Sequence, residues 1–401
     1  EQARPMFEKG GKFEKLYPLY EAKETFLFVS KQATSKGSHI RDPLDTKRLM
    51  STVIAALIPC LFFGIFNVGY QYYSAQGLAL NEMNPLHVFG IGLRYVVPII
   101  IVSYAAGGVW EVLFSVVRKH EINEGFLVTG MLVPLIVPPS IPLWQVAVGV
   151  SFGVVIGKEV FGGTGMNVFN PALVARAFIF FAYPASISGD KPWVQQLVTA
   201  NDLKLVDGYS GATPLLVAAG EKTGTVIETL NNFGVAGDSR FANFSLCNAF
   251  VGLVPGSIGE TSTLAILLGA GLLIATGIGS WRIMLSAVVG VVVMACGMNL
   301  VAPSTSSILA MPAHYHLVYG GFAFAAVFMA TDPVSASHTN IGKLIYGFLI
   351  GVMTVLIRCV NPAYPEGAML AVLFMNAFAP LIDYFVVDTH IKRRMRRAQV
   401  L

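Results

Sequence analysis

The chain has 401 residues, 54% of them hydrophobic and only 12% charged, with a net charge of +4 and a mean hydropathy of +0.64. A soluble domain usually carries about a quarter charged residues, so this composition excludes an ordinary soluble enzyme and gives no footing for a nucleic-acid partner. Several stretches approach or exceed the ~20 apolar residues needed to cross a bilayer. The 40 glycines and 21 prolines suit closely packed and interrupted helices in lipid.

The first 48 residues are polar, and residues 1–50 hold ten Lys or Arg. No short apolar core with a small-residue cleavage site follows, so no signal peptide is expected. Apolar runs then predict ten membrane helices, over 49–70, 89–117, 125–138, 142–158, 171–184, 262–278, 283–301, 317–331, 341–359 and 367–387. Residues 246–257 are apolar but short, and read as a re-entrant or interfacial piece. Arg118 and Lys119 follow the second span, and Lys392, Arg393, Arg394, Arg396 and Arg397 crowd the tail. Positive-inside logic places all these cations, and both termini, in the cytoplasm. That requires an even number of spans and puts the polar interval on the outer, periplasmic side, where residues 185–245 hold four Lys/Arg and six Asp/Glu.

The predicted organisation is therefore an all-α polytopic membrane protein. A cytoplasmic extension (1–48) precedes a first five-helix repeat (49–184). An outer loop with the re-entrant segment (185–261), a second five-helix repeat (262–387) and a basic cytoplasmic tail (388–401) follow. The two repeats echo each other: Gly125 to Pro184 and Gly321 to Pro380 both open Gly-Phe, pass an Asn-Pro-Ala at 170–172 or 361–363, and close on proline. Five spans per repeat give them opposite orientations in the membrane, as in many transporters whose broken helices meet near the midplane.

The outer loop contains Asp207-Gly208-Tyr209-Ser210-Gly211-Ala212-Thr213-Pro214. Gly208 and Gly211 free the backbone for a tight turn, and Thr213 before Pro214 predicts an N-cap and first helical residue. A phosphate carried by that hydroxyl would sit where helix N–H groups and the dipole favour negative charge. A capped turn opening a short helix is the commoner reason for such a pattern.

Four polar groupings fall within or beside the spans. Phe161-Gly162-Gly163-Thr164-Gly165-Met166-Asn167-Val168-Phe169-Asn170-Pro171 permits non-helical backbone and offers two amides, with Asn170 predicted to cap a helix starting at Pro171. It has neither a P-loop lysine nor a Rossmann fingerprint. Asp332 lies at the end of the eighth span, where an ionisable group is a functional candidate unless it merely caps a helix. Gly107-Gly108 in the second span each cost about 1 kcal/mol relative to alanine and call for a close neighbour, usually another helix. Glu111 and Asp383 are the remaining acids within spans. Either could ligate a hard cation such as Na⁺, pair with a nearby Arg or Lys, or reach the interface. Cys60, Cys247, Cys296 and Cys359 are far apart in sequence and form neither a zinc nor an iron–sulfur ligand set alone; no metal site is expected within the chain.

Over nearly all 401 residues, and most specifically at Asp207–Thr213, the sequence resembles the flavinylated membrane-subunit family that includes the B subunits of sodium-translocating NADH:quinone reductases and the D subunits of Rnf complexes. The resemblance implies FMN esterified to Thr213 by a flavin transferase, with Asp207, Gly208, Ser210, Gly211 and Ala212 completing the motif. It also implies riboflavin beside Asn167, Asn170 and Asp332, and ubiquinone near Gly107, Gly108, Phe126, Phe178 and Phe180. Sodium handling falls to Glu111, Asp332 and Asp383. Lys12–Lys15 and Ser38–Asp42 match the long cytoplasmic extension of the sodium pumps, which Rnf-type relatives generally lack. The implied role is an electron-carrying subunit of a Na⁺-exporting respiratory complex in the bacterial inner membrane, beside the A, C, D, E and F subunits. With no dinucleotide fingerprint and no cluster ligands, the chain must receive NADH electrons from those partners. A solute permease of the urea-channel type also fits a five-plus-five repeat but has no use for a flavin-acceptor loop.

Overall fold

A computed structural model describes residues 17, 46–119, 125–195, 209–221, 224–233, 243–305, 307–361 and 366–400. Every regular element among them is a helix. In the first half these are α1 (Thr46–Ser74), α2 (Pro85–Arg118), α3 (Gly125–Leu135), α4 (Leu143–Gly157) and α5 (Pro171–Ala182). Three short helices follow, α6 (Pro214–Gly220), α7 (Val226–Asn232) and α8 (Leu246–Val251). Then come α9 (Thr263–Ala275), α10 (Trp281–Val301), α11 (Ala313–Val318) and α12 (Phe322–Phe324, continuing as a π-helical turn over Ala325–Met329). The last two are α13 (Asn340–Val360) and α14 (Ala368–Val400).

Six helices are long and apolar enough to cross a membrane, which makes this a multi-pass membrane protein. Four others, α3, α5, α9 and α12, lie within expected spans but have only 8–13 residues. At 1.5 Å per residue they cover about 12–20 Å of a hydrocarbon core about 30 Å thick. Non-helical backbone completes their passage, and it is satisfied internally as lipid requires. Beyond α3, the carbonyls of Leu135 and Val137 accept from Gly259 and Ile258 at 2.7 and 3.2 Å, while Asn67 Nδ2 donates to the Val254 carbonyl at 3.0 Å. The 246–257 stretch is thus a six-residue helix followed by irregular, bending chain wedged against the bundle.

Two expectations are corrected. The segment 317–331 is not one helix: Gly320 and Gly321 take φ values of +66° and +67° and separate α11 from α12. Arg358 holds that break open by donating to the carbonyls of His316, Tyr319 and Gly320. The tenth helix does not end at 387 either: α14 runs without interruption from Ala368 to Val400 and carries the basic residues on its last turns. The second Asn-Pro-Ala lies outside the described residues from Pro362 onward, as do Asp207, Gly208, Lys12–Lys15 and Ser38–Asp42.

One large apolar core fills the bundle. A second, smaller one joins Leu215, Leu230, Phe244, Tyr315 and Tyr319 as a cap over one end. That capped end is called the loop end; the opposite end, with Arg118, Lys119 and the α14 tail, is the basic end. Between them, Phe62, Val109, Leu268, Val293 and Phe385 face outward, as lipid-facing residues do.

Candidate cofactor sites

At the basic end, Asn167, Asn170 and Asp332 line one cavity, together with Lys158, Thr164, Val53, Leu132 and Phe328. The enclosed void is ≈ 70 Å³ within ≈ 730 Å³ of empty space counted out through its mouth, so a tricyclic ring would occupy mainly the mouth. The Gly162–Gly165 turn shapes one wall: Gly162, Gly163 and Gly165 have φ values of +120°, +99° and +91°, which only glycine adopts without strain. Asn170 Oδ1 accepts from Ala172 N at 3.0 Å, so it is the predicted cap, and Asn167 Nδ2 donates to the Phe169 carbonyl at 2.9 Å. Asp332 accepts from the Ser335 hydroxyl at 2.6 Å. The π-helical turn brings Phe328 to the opposite wall, and such turns are frequent at functional sites.

Sequence reasoning missed several groups here. Lys158 is buried and binds Glu111, with Thr164 Oγ1 at 3.1 Å and Glu159 Oε1 at 3.5 Å. Arg118 in turn holds Glu159 through its carboxylate at 3.0 Å and its carbonyl at 2.8 Å. Behind Asn170 the fully buried Asn376 and Tyr346 share a hydrogen bond of 2.6 Å; with the Asn376 amide turned, its oxygen also accepts from the Asn170 N–H at 3.1 Å.

At the loop end, Thr213 is buried and its Oγ1 accepts from Leu216 N at 3.3 Å, capping α6 as predicted. Ser210 Oγ accepts from Ala212 N at 3.3 Å, and the Tyr209 hydroxyl donates to Gln71 at 3.1 Å. These bonds tie the turn down onto α1. Thr213 borders a small cavity with Ser257, Glu260, Tyr319, Gly320, Gly321 and Glu366. Both glutamates are ion-paired to Arg176 of α5. Burial pushes the Glu260 carboxyl up while Arg176 pulls it back down. The cluster Arg176, Arg358, Glu260 and Glu366 sums to zero charge, so an anionic ester at Thr213 would meet no net repulsion.

The residues expected near quinone do not share one cavity. A Cβ at Gly107 would strike the Phe126 ring, whereas nothing lies within 4 Å of one at Gly108; helix packing accounts for the first glycine and not the second. Phe178 stacks on Phe152 with centroids 4.4 Å apart and lines a separate apolar groove with Phe161, Phe169 and Phe181. Phe180 packs against the main core and lines neither that groove nor the polar cavity. Among the acids, Glu111 is buried against Lys158. The Asp383 carboxylate accepts from Ser337, His338 and Thr339. Among the described residues no three His, Cys, Asp or Glu gather as a metal site.

A bundle of full-length and half-length helices, six of them long and apolar enough to cross a membrane, with polar-lined cavities at both ends, defines a multi-pass membrane protein. The chain belongs to the NQR2, RnfD, RnfE family, which it matches over residues 33–392. It is 53% identical to the B subunit of the Na(+)-translocating NADH-quinone reductase of Azotobacter vinelandii, over 98% of this chain and 96% of the relative. The corresponding B subunits of Chromohalobacter salexigens and Neisseria meningitidis serogroup A are each 49% identical, over 99% of this chain and 95% and 98% of theirs.

Proposed function

We propose that the chain is the flavin-carrying membrane subunit of a respiratory Na⁺-pumping NADH:quinone oxidoreductase, passing electrons toward quinone while Na⁺ is exported. The reading is supported above all by one observation: Asn167, Asn170 and Asp332, from opposite halves of the sequence, line a single cavity. Amides and a carboxylate suit the uracil-like edge and ribityl hydroxyls of a neutral flavin, and the apolar walls suit its ring. Among the described residues that line it, the one cation, Lys158, is already paired to a carboxylate, which favours a neutral flavin such as riboflavin over a nucleotide phosphate.

In this reading Thr213 Oγ1 is the attachment atom of a second flavin, FMN, and the turn held by Ser210 and Tyr209 presents it for esterification by a flavin transferase. The flavins supply electron-transfer chemistry when bound; the chain supplies placement and electrostatics. Thr213 anchors, Asn167 and Asn170 orient, and the neutral cluster around Arg176 accepts a phosphoester without net repulsion. Quinone binds beside Gly107, Gly108, Phe126, Phe178 and Phe180; Glu111 and Asp332 are the sodium-handling acids, whereas Asp383, expected to join them, is already engaged as a cap by His338 and Thr339. The A, C, D, E and F subunits oxidise NADH and share the ion path, in the bacterial inner membrane, with both termini cytoplasmic.

The test is Thr213→Ala in the intact complex. The chain should assemble and retain riboflavin but lose its covalent flavin fluorescence in a denaturing gel. Fluorescence that persists on the variant chain would reject the attachment site.

A further inference from the structure

Asn170 borders the basic-end cavity with most of its polar groups already committed. Its carbonyl accepts from Val174 N at 3.1 Å and its Oδ1 from Ala172 N at 3.0 Å, as befits a helix cap. Its own N–H precedes the helix and has no place in the intrahelical ladder, yet a buried N–H in lipid needs an acceptor. Asn376 of α14 supplies it. With its amide turned, Asn376 Oδ1 accepts from Asn170 N at 3.1 Å, while its Nδ2 donates to the Val372 carbonyl at 3.2 Å and to the Tyr346 hydroxyl at 2.6 Å. In the other orientation the Asn376 Nδ2 would face the Asn170 N–H, donor against donor. What remains of Asn170 for a ligand is its Nδ2.

Asn376 and Tyr346 are fully buried and line no part of the cavity, so neither touches a ligand there. We propose that they are positioning residues for that ligand: Tyr346 fixes the Asn376 amide, Asn376 fixes the backbone of Asn170, and the Asn170 amide is thereby aimed at an acceptor oxygen or nitrogen of the flavin. This rests on the reading of the cavity as the riboflavin site. Asn170 belongs to α5 and its two supports to α13 and α14, so contact between the two halves of the chain sets the direction of the donor. A donor held in place beforehand loses little freedom when a ligand arrives. Without the Tyr346 hydroxyl, the buried Asn376 Nδ2 lacks one of its two acceptors, and the amide is free to turn and release the Asn170 N–H.

The experiment titrates purified complexes with riboflavin. Each complex is equilibrated at a series of free riboflavin concentrations, and the flavin released by acid is measured against protein, since a covalent flavin stays with the precipitate. Tyr346→Phe removes one oxygen and keeps the ring; it should raise the riboflavin dissociation constant about three- to tenfold, the worth of one net hydrogen bond. Asn376→Leu should raise it further, and Tyr346→Phe decides the matter if Asn376→Leu does not assemble. The cycle is completed with Asn170→Asp, which keeps the cap but has no amide donor to aim. Residues that act through one group are not additive, so adding Tyr346→Phe to Asn170→Asp should change the dissociation constant by less than about twofold. A packing role alone would lower the melting temperature and leave riboflavin affinity in Tyr346→Phe unchanged, which overturns the proposal. So does a further three- to tenfold loss, about the full single-variant effect, in the double variant, or normal affinity in Asn170→Asp. Absence of riboflavin from the unaltered complex would instead overturn the assignment of the cavity.

Discussion

Asp383 and Thr339 form a cap between neighbouring helices: Asp383 Oδ1 accepts from the Thr339 hydroxyl at 2.6 Å and from its N–H at 3.0 Å. Thr339 Oγ1 in turn accepts from Gly342 N at 3.1 Å, capping α13. The second carboxylate oxygen accepts from His338 N at 2.7 Å. A charge on α14 therefore sits at the N-terminus of α13, where the dipole favours an anion, and these bonds account for the carboxylate without an ion.

That geometry separates two acids which the sequence alone leaves alike. Asp383→Ala should destabilise the protein by about 2 kcal/mol, since it removes hydrogen bonds to a charged acceptor. Asp383→Asn, which keeps one acceptor oxygen, should do less. The Na⁺ concentration for half-maximal quinone reduction should stay unchanged in both, while Glu111→Ala should raise it. A raised Na⁺ requirement in Asp383→Ala, at normal flavin content, would return Asp383 to the ion path.

Asn170 has two duties that substitution can separate. Its Oδ1 caps α5, a bond worth about 1 kcal/mol, and the residue also lines the cavity. Asn170→Asp keeps the cap but removes the amide donor; Asn170→Leu removes both. If the amide reads the flavin edge, both variants, and Asn167→Leu, should lower extracted riboflavin per complex and spare the fluorescence at Thr213. Only Asn170→Leu should also lower the melting temperature appreciably. Normal riboflavin in Asn170→Asp would restrict Asn170 to its capping duty.

Arg176 binds Glu260 and Glu366 at once and so joins α5 to the wedge before α9 and to the residue that leads into α14. Arg176→Met strands the buried Glu260 and the half-buried Glu366, and truncating one partner of a buried pair costs about 3–5 kcal/mol. The complex should assemble poorly. Adding Glu260→Gln should restore part of the loss because one stranded charge disappears. Melting curves and recovery of the assembled complex read both, and a double variant no better than Arg176→Met would show that Glu260 is not the group that suffers.

Apolar runs and single polar signals were readable in different degrees. Each predicted span contains a helix, because a continuous apolar stretch has few alternatives in lipid. The caps at Asn170 and Thr213 were readable because Asn-Pro and Thr-Pro encode local geometry. The break at Gly320-Gly321 was hidden by the apolar residues around it; its stabiliser, Arg358, lies 38 residues away. Lys158 resembles any lysine at a span end until Glu111, 47 residues earlier, is brought to it by the packing of α2 and α4. Arg176 and Arg358 were the neglected signals: arginines inside predicted spans are costly and mark function or a buried network. The long apolar helices said little about which faces meet, so the quinone residues, named by resemblance, scatter over two regions.

The cap over the loop end contains a group that ties stability to pH. His316 on α11 is only 1% exposed, and its Nδ1 has no hydrogen-bond partner in the structure. Burial, and then the nearby Arg358 guanidinium, lower its pKa to about 3 from an ordinary 6.5. The folded protein thus keeps this imidazole neutral, while the unfolded chain protonates it below pH 6.5. A group whose native pKa is depressed takes up protons on unfolding, so native stability falls as pH drops below 6.5 and stops falling near the native value. Each pH unit in that window is worth about 1.4 kcal/mol for one group. Between pH 7.5 and 5.5 the expected loss is therefore about 1.4 kcal/mol, and it does not depend on whether the native value is 3 or 4. His316→Gln removes the titrating group and should flatten this part of the profile, whatever it costs at pH 7.5. Melting temperatures of the purified complex at several pH values decide the matter: a slope between 7.5 and 5.5 that His316→Gln leaves unchanged assigns the acid sensitivity to other groups.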